Sequence, residues 1–144
     1  MANRTLISST KLALLTTHAA VSSDTNGTGI DMTGARQALF MLKLGTTTGT
    51  SATARVLVQE SSDDSSYTTI ETSATVALDA GAGTGTTFAI QASTFTKQYL
   101  RYSIDVSASG SPVCGDVLAC VMLGGYTYSR VAATDYTISV LDSV

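Results

Sequence analysis

The segment Val56-Leu57-Val58-Gln59-Glu60-Ser61-Ser62-Asp63-Asp64-Ser65-Ser66-Tyr67-Thr68-Thr69-Ile70 sets the architecture of this chain. An apolar, β-rich run breaks into consecutive small polar or acidic residues and resumes with alternating Tyr, Thr and Ile. That pattern predicts two strands joined by a solvated loop, a β-hairpin. From Arg55 to Glu60, Val56 and Val58 share one face while Arg55, Leu57 and Gln59 share the other, so one side is core and the other partly wet.

Similar signals extend in both directions. Upstream, Ala38-Leu39-Phe40-Met41-Leu42-Lys43-Leu44 is an almost continuous apolar run ended by Gly45. It suits a strand covered on both faces, or a protomer strand whose second face meets a neighbouring chain. A first strand is expected at about Lys11 to Thr16, after an N-terminal arm. The Leu and Ala content of Leu12 to Val21 also admits a helix, but Thr16, Thr17 and the following Ser-Ser-Asp-Thr-Asn-Gly weaken it. Ser22 to Gly29 reads as a loop, followed by a turn at Ile30-Asp31-Met32.

Downstream, short strands are expected at Tyr67 to Ile70 and Ala74 to Leu78. Asp79 to Gly85 is Gly-rich and reads as a flexible connection. Phe88 and Ile90 restore alternation. Between Gln98 and Ser107 the alternation is cleanest, with Leu100, Tyr102, Ile104 and Val106 inward and Tyr99, Arg101, Ser103 and Asp105 outward. Val113 to Leu123 makes a last long apolar strand. Tyr136, Ile138 and Val140 alternate again in the tail, as a final strand or an arm on a partner. The fold class is therefore all-β, an antiparallel, jelly-roll-like β-sandwich of about eight strands with extended terminal arms. Its expected organisation is an arm and first strand over 1–20, the sandwich over 21–125, and a strand or arm over 126–144.

Composition agrees. The 144 residues contain 44% hydrophobic but 13% charged residues and a single Pro, enough chain to bury a core without disulfides or metals. Eight basic against eleven acidic residues, with no basic cluster, argue against nucleic-acid binding. The start lacks the pattern of a secretory signal and no segment approaches a membrane-span length, so a soluble, cytoplasmically made protein with no membrane partner is expected. Cys114 and Cys120 fall in one apolar run and are expected as buried free thiols rather than a pair.

Chemistry finds few footholds. His18 is the single histidine and no Gly-x-Ser-x-Gly turn accompanies it, so a catalytic triad is not expected and a solvated or locally bonded imidazole is. Asp63-Asp64 lacks Ca²⁺-loop spacing and reads as a turn whose side chains bond nearby backbone N–H groups. Gly81 to Gly85 lacks the Lys-Ser/Thr of a phosphate loop. The chain is expected to be no enzyme and to hold no cofactor or metal. Tyr126, Tyr128 and Arg130 form an aromatic and basic set of the kind enriched at interfaces.

Val58-Gln59-Glu60-Ser61-Ser62-Asp63-Asp64-Ser65-Ser66-Tyr67, then Tyr99-Leu100-Arg101-Tyr102 and Val121-Met122-Leu123-Gly124-Gly125-Tyr126, together resemble a group of small tailed-bacteriophage virion proteins. Members carry a V-Q-x-S-x-D-x-S-x-Y/F hairpin followed by an R-Y-x-R strand, and the similarity covers roughly residues 30 to 126. The resemblance implies a capsid cement or decoration protein on the exterior of a phage head. Its implied partners are the major capsid protein and further copies of itself, as a homo-trimer. Candidate contact residues are Arg4, Lys11, Tyr126, Tyr128, Arg130 and Tyr136, with residues 1 to 10 and 126 to 144 able to add strands to a neighbour. The competing expectation is a carbohydrate- or receptor-binding module on a virion surface, weakened by the absence of Trp.

Overall fold

The computed structural model describes residues 10–107 and 109–125. In chain order the strands are β1 (Lys11–His18), β2 (Thr25–Asn26), β3 (Ile30–Asp31), β4 (Gln37–Lys43), β5 (Thr53–Ser61), β6 (Thr68–Thr72), β7 (Val76–Ala77), β8 (Thr87–Ala92), β9 (Tyr99–Val106) and β10 (Val117–Gly124). They form two antiparallel sheets. One runs β1-β10-β4-β8; the other runs β2-β9-β5-β6, with β3 also on β9 and β7 also on β5. Strands β2 and β3 lie end to end along β9, as β6 and β7 do along β5. Counted as interrupted single strands, they leave four strand positions in each sheet.

Consecutive positions then switch sheets everywhere except at the β5–β6 hairpin, which is the strand order of a jelly roll. The expected all-β sandwich is what the chain forms. The hairpin is in place, with Leu57 opposite Thr72 and Glu60 opposite Thr68. The inward set of β9 also holds, since Leu100, Tyr102, Ile104 and Val106 are all buried, but Ser103 of the expected outward set is buried as well. Facing the inward set across the core are Phe40 and Leu42 of β4, Phe88 of β8, and Ala119 and Val121 of β10. Strand β1 extends past Thr16 to His18, with no helix over 12–21, because it pairs with β10 along its length.

Several sequence expectations fail locally. Strands β2 and β3 fall where a loop over Ser22 to Gly29 and a turn at Ile30-Asp31-Met32 are expected, because both pair with β9. The Asp79–Gly85 connection is hydrogen-bonded, not loose: Asp79 accepts from the Ala52 N–H at 2.9 Å, Thr84 Oγ1 accepts from the Thr47 N–H at 3.0 Å, and the Gly85 N–H reaches the Leu44 carbonyl at 3.1 Å. Its start forms a 3-10 turn, Asp79–Gly81. Cys114 precedes β10 instead of lying within it, and is buried, whereas Cys120 sits in the strand and is half-buried. His18 is not a locally satisfied imidazole. Its Nε2 lies 2.5 Å from the Tyr102 hydroxyl, a bond from the edge of one sheet to the centre of the other.

Tyr102 needs that partner because its ring is fully buried and a phenolic hydroxyl without one loses its hydration. Burial also pushes its pKa up to about 12. The ring is roofed by Gly27, where a Cβ would come within 2.5 Å of ring carbon. The Gly27 N–H also donates to the Tyr102 carbonyl at 2.9 Å, which carries the pairing with β9 one residue past β2.

Glu60 closes the sandwich beside the hairpin. Its buried carboxylate accepts from the Thr96 N–H at 2.8 Å, the Thr96 hydroxyl at 3.1 Å and the Lys97 N–H at 3.3 Å, pinning the segment before β9 to β5. These bonds, led by that from the Thr96 N–H, hold its pKa below the ordinary 4.5. A depressed folded pKa contributes stability that is full above 4.5 and is lost as pH falls through the lower folded value. Glu60→Gln is expected to cost roughly 1–3 kcal/mol at pH 7. Urea titrations from pH 7 to pH 3 should show that difference shrinking once the pH falls below 4.5; a constant difference would mean the charge is not what the Thr96 and Lys97 N–H groups recognise.

Candidate interaction surface

Directly opposed residues in an antiparallel pair point to the same face, so the register assigns every side chain of the β1-β10-β4-β8 sheet to the core or to the outside. Three rows cross its outer face: Leu12, Met122, Leu39 and Gln91; then Leu15, Cys120, Met41 and Ala89; then Thr17, Leu118, Lys43 and Thr87. Lys43 carries the one formal charge among these positions. The register shift between Leu12 and Leu14 lets β1 place Leu12 and Leu15 on this side together.

Among the described residues the large hydrophobic side chains left exposed are Leu15 at 61%, Leu118 at 45% and Leu12 at 44%, and all three belong to this face. Isolated exposed leucines are ordinary, but these three fall in successive rows of one sheet face. The Ala38 to Leu44 run is expected to be covered on both faces or to meet a neighbouring chain on the second. Ala38, Phe40 and Leu42 are buried, while Leu39 and Met41 are half-buried and uncovered. The described residues thus cover strand β4 on one face.

The opposite outside of the sandwich has a different character. There Arg55 pairs with Asp105 at 2.6 Å, and Arg101 donates to Gln59 at 2.8 Å while its guanidinium lies 3.9 Å over the Tyr67 ring. Tyr67 in turn donates to Asp64. Burial first, and then this carboxylate, push the Tyr67 hydroxyl far above its usual range. The side chains on this face are engaged with one another.

The Ser-Asp loop is a self-contained turn. Asp63 Oδ1 accepts from the Ser65 and Ser66 N–H groups at 3.0 Å and from the Ser61 hydroxyl at 2.8 Å. These bonds, the Ser66 N–H foremost, hold its carboxyl well below the usual carboxylate range. Among the described residues no group of His, Cys, Asp or Glu side chains is arranged to hold a metal ion. Burial raises both thiols, so neither is set up as a nucleophile.

Of the residues named from the sequence as contacts, Lys11 opens β1 and lines a cleft of ≈ 550 Å³ at the mouth of the sandwich with Leu14, Ile30 and Asp31. Arg4, Tyr126, Tyr128, Arg130 and Tyr136 lie outside the described residues. The sequence reading missed Leu12, Leu15 and Leu118. A signal was present: in the unbroken run Leu118-Ala119-Cys120-Val121-Met122-Leu123, both alternating sets are apolar, as in the run through β4.

No protein-family model and no curated protein matches the chain. Among solved structures it is similar to the PBSX exported protein XepA, with a TM-score of 0.54 and 15% identity over 89% of this chain and 41% of that one. The chain thus spans less than half of that neighbour's length. A second similar structure comes from Bacillus endospore appendages, described as a family of disulfide-linked pili, with a TM-score of 0.48 and 12% identity over 80% of this chain and 86% of the other. At such identities the likeness to XepA is one of fold.

The two sides of β4 and its sheet should respond differently to mutation. Phe40→Ala, on the core side, is expected to cost roughly 3–5 kcal/mol, and Leu15→Ser, on the outer face, less than about 1 kcal/mol. Denaturant midpoints for the two variants check this, and equal losses would place Leu15 in a second core.

Proposed function

We propose that this chain is a structural virion protein, a cement or decoration protein that binds the exterior of an icosahedral phage head and reinforces it. The observation that carries the reading is the contrast between the two outer faces, one internally paired and polar, the other apolar and uncharged but for Lys43. A rigid sandwich with one such face is suited to docking on a large, repetitive partner. The phage-type hairpin and strand motifs supply the choice of partner, and the jelly-roll fold shared with the PBSX exported protein XepA is compatible with it.

In this reading the outer face of the β1-β10-β4-β8 sheet meets the major capsid protein or a neighbouring copy. A homo-trimer would multiply weak contacts by avidity. Arg4 and Lys11 at the start of the chain, with Tyr126, Tyr128, Arg130 and Tyr136 at its end, are the proposed peripheral contacts. No catalytic role enters the reading: His18, Asp63 and the two thiols have structural surroundings.

Binding to particles that lack this protein is the direct test. Saturable binding of the purified chain is expected. The Leu15→Asp/Leu118→Asp variant should bind at least about tenfold more weakly, since burying each leucine is worth roughly 1.5–3 kcal/mol. Arg55→Ser, on the other outer face, should bind normally. Absence of saturable binding to such particles, or binding to a glycan array in its place, would overturn the proposal.

A further inference from the structure

We propose that β8 pairs edge to edge with β8 of a second copy, antiparallel about a two-fold axis at Ala89, so that two β1-β10-β4-β8 sheets join into one. This contact lies on the side of the sandwich, apart from the outer face, and holds whether or not that face docks on a capsid.

The four sheet edges are not alike. A strand edge with free N–H and C=O groups invites pairing with another chain, and charges, bulges and brevity discourage it. Edge strand β1 begins with Lys11 and is bulged between Leu12 and Leu14. On the other sheet β2 and β3 are two residues each, and β6 carries Glu71 and a register shift opposite Val58 and Gln59. Strand β8 has none of these guards. It runs six residues in unbroken register with β4, its one strand neighbour among the described residues, and no charged residue or proline occurs from Ala80 to Thr96.

Which backbone groups face the open edge follows from one bond. The Thr86 carbonyl accepts from the Leu44 N–H at 2.9 Å, so Phe88, Ile90 and Ala92, in step with Thr86, bond to β4. Thr87, Ala89 and Gln91 therefore direct their N–H and C=O groups away from β4. The Gln91 side chain bonds back to Gln37 of β4 at 3.0 Å and does not cap the edge.

This strand is complementary to itself. With the axis at Ala89, the two alanines oppose each other and each Thr87 opposes the partner's Gln91, every such pair exchanging both of its N–H···O bonds. No like charges meet. On the core side Phe88 lies opposite the partner's Ile90, a residue that is only half-buried in the single chain. A different extended segment would have to match the uncharged Thr-Phe-Ala-Ile-Gln-Ala pattern, which a second β8 does by symmetry. Six residues at ~3.3 Å along a sandwich ~10 Å thick give about 200 Å² per partner, against ~800 Å² for a standard interface, so the pair is weak and reversible.

Amide hydrogen exchange in the full-length chain, read by NMR at micromolar and at millimolar concentration, tests this. At the higher concentration the Thr87, Ala89 and Gln91 amides should exchange at least about threefold more slowly, while those of Phe88 and Ile90, already bonded to β4, keep their rates. Ala89→Pro removes an edge donor and no bond to β4, and should abolish the concentration dependence at Thr87 and Gln91 while Ile90 stays protected. Ala89→Lys, which sets two lysines against each other at the axis, should do the same. Exchange at Thr87, Ala89 and Gln91 that does not change with concentration would overturn the proposal, and so would undiminished slowing in either variant.

Discussion

A sheet whose strands are apolar on both faces can be covered on only one of them by the other half of its sandwich. Strands β4 and β10 impose that constraint here. Their even alternation sends Phe40, Leu42, Ala119 and Val121 into the core, and Leu39, Met41, Leu118 and Met122 to the outside. Nothing in the jelly roll requires the second set. A monomer optimised for solubility would place Thr, Lys and Glu there, as the other outer face does with Arg55, Gln59, Arg101 and Asp105.

The rest of the molecule makes this face rigid. The two sheets share one core, and the His18–Tyr102 bond links the edge strand that carries Leu12 and Leu15 to the centre of the opposite sheet. Glu60 holds the approach to β9, and the Asp79 and Thr84 bonds fix the crossover that delivers β8 to the end of the apolar sheet. A surface on such a scaffold loses little conformational entropy when it docks, which favours weak contacts repeated many times.

Much of the architecture is legible in the sequence because period-two alternation is a local property. The β5–β6 hairpin, the inward set of β9 and the solvated Asp63 turn all follow from neighbouring residues. Features that depend on distant partners do not. Nothing near His18 announces a tyrosine 84 positions away, the Gly-rich 79–85 connection looks loose until Ala52, Thr47 and Leu44 are brought beside it, and the need for a glycine at position 27 shows only once the Tyr102 ring lies against it. The outer face falls between these cases. Its residues are visible as apolar runs, but their union into one patch depends on the order β1-β10-β4-β8, which joins strands from both ends of the described chain.

The proposed docking surface is this face and not its polar counterpart. Photocrosslinking tests it most directly, with a benzoylphenylalanine placed at Leu118 in one version of the chain and at Leu57, on the opposite outer face, in another. After incorporation into particles, the account predicts crosslinks to a neighbouring subunit from position 118 and none from position 57. Crosslinks from position 57 with none from position 118 would contradict it.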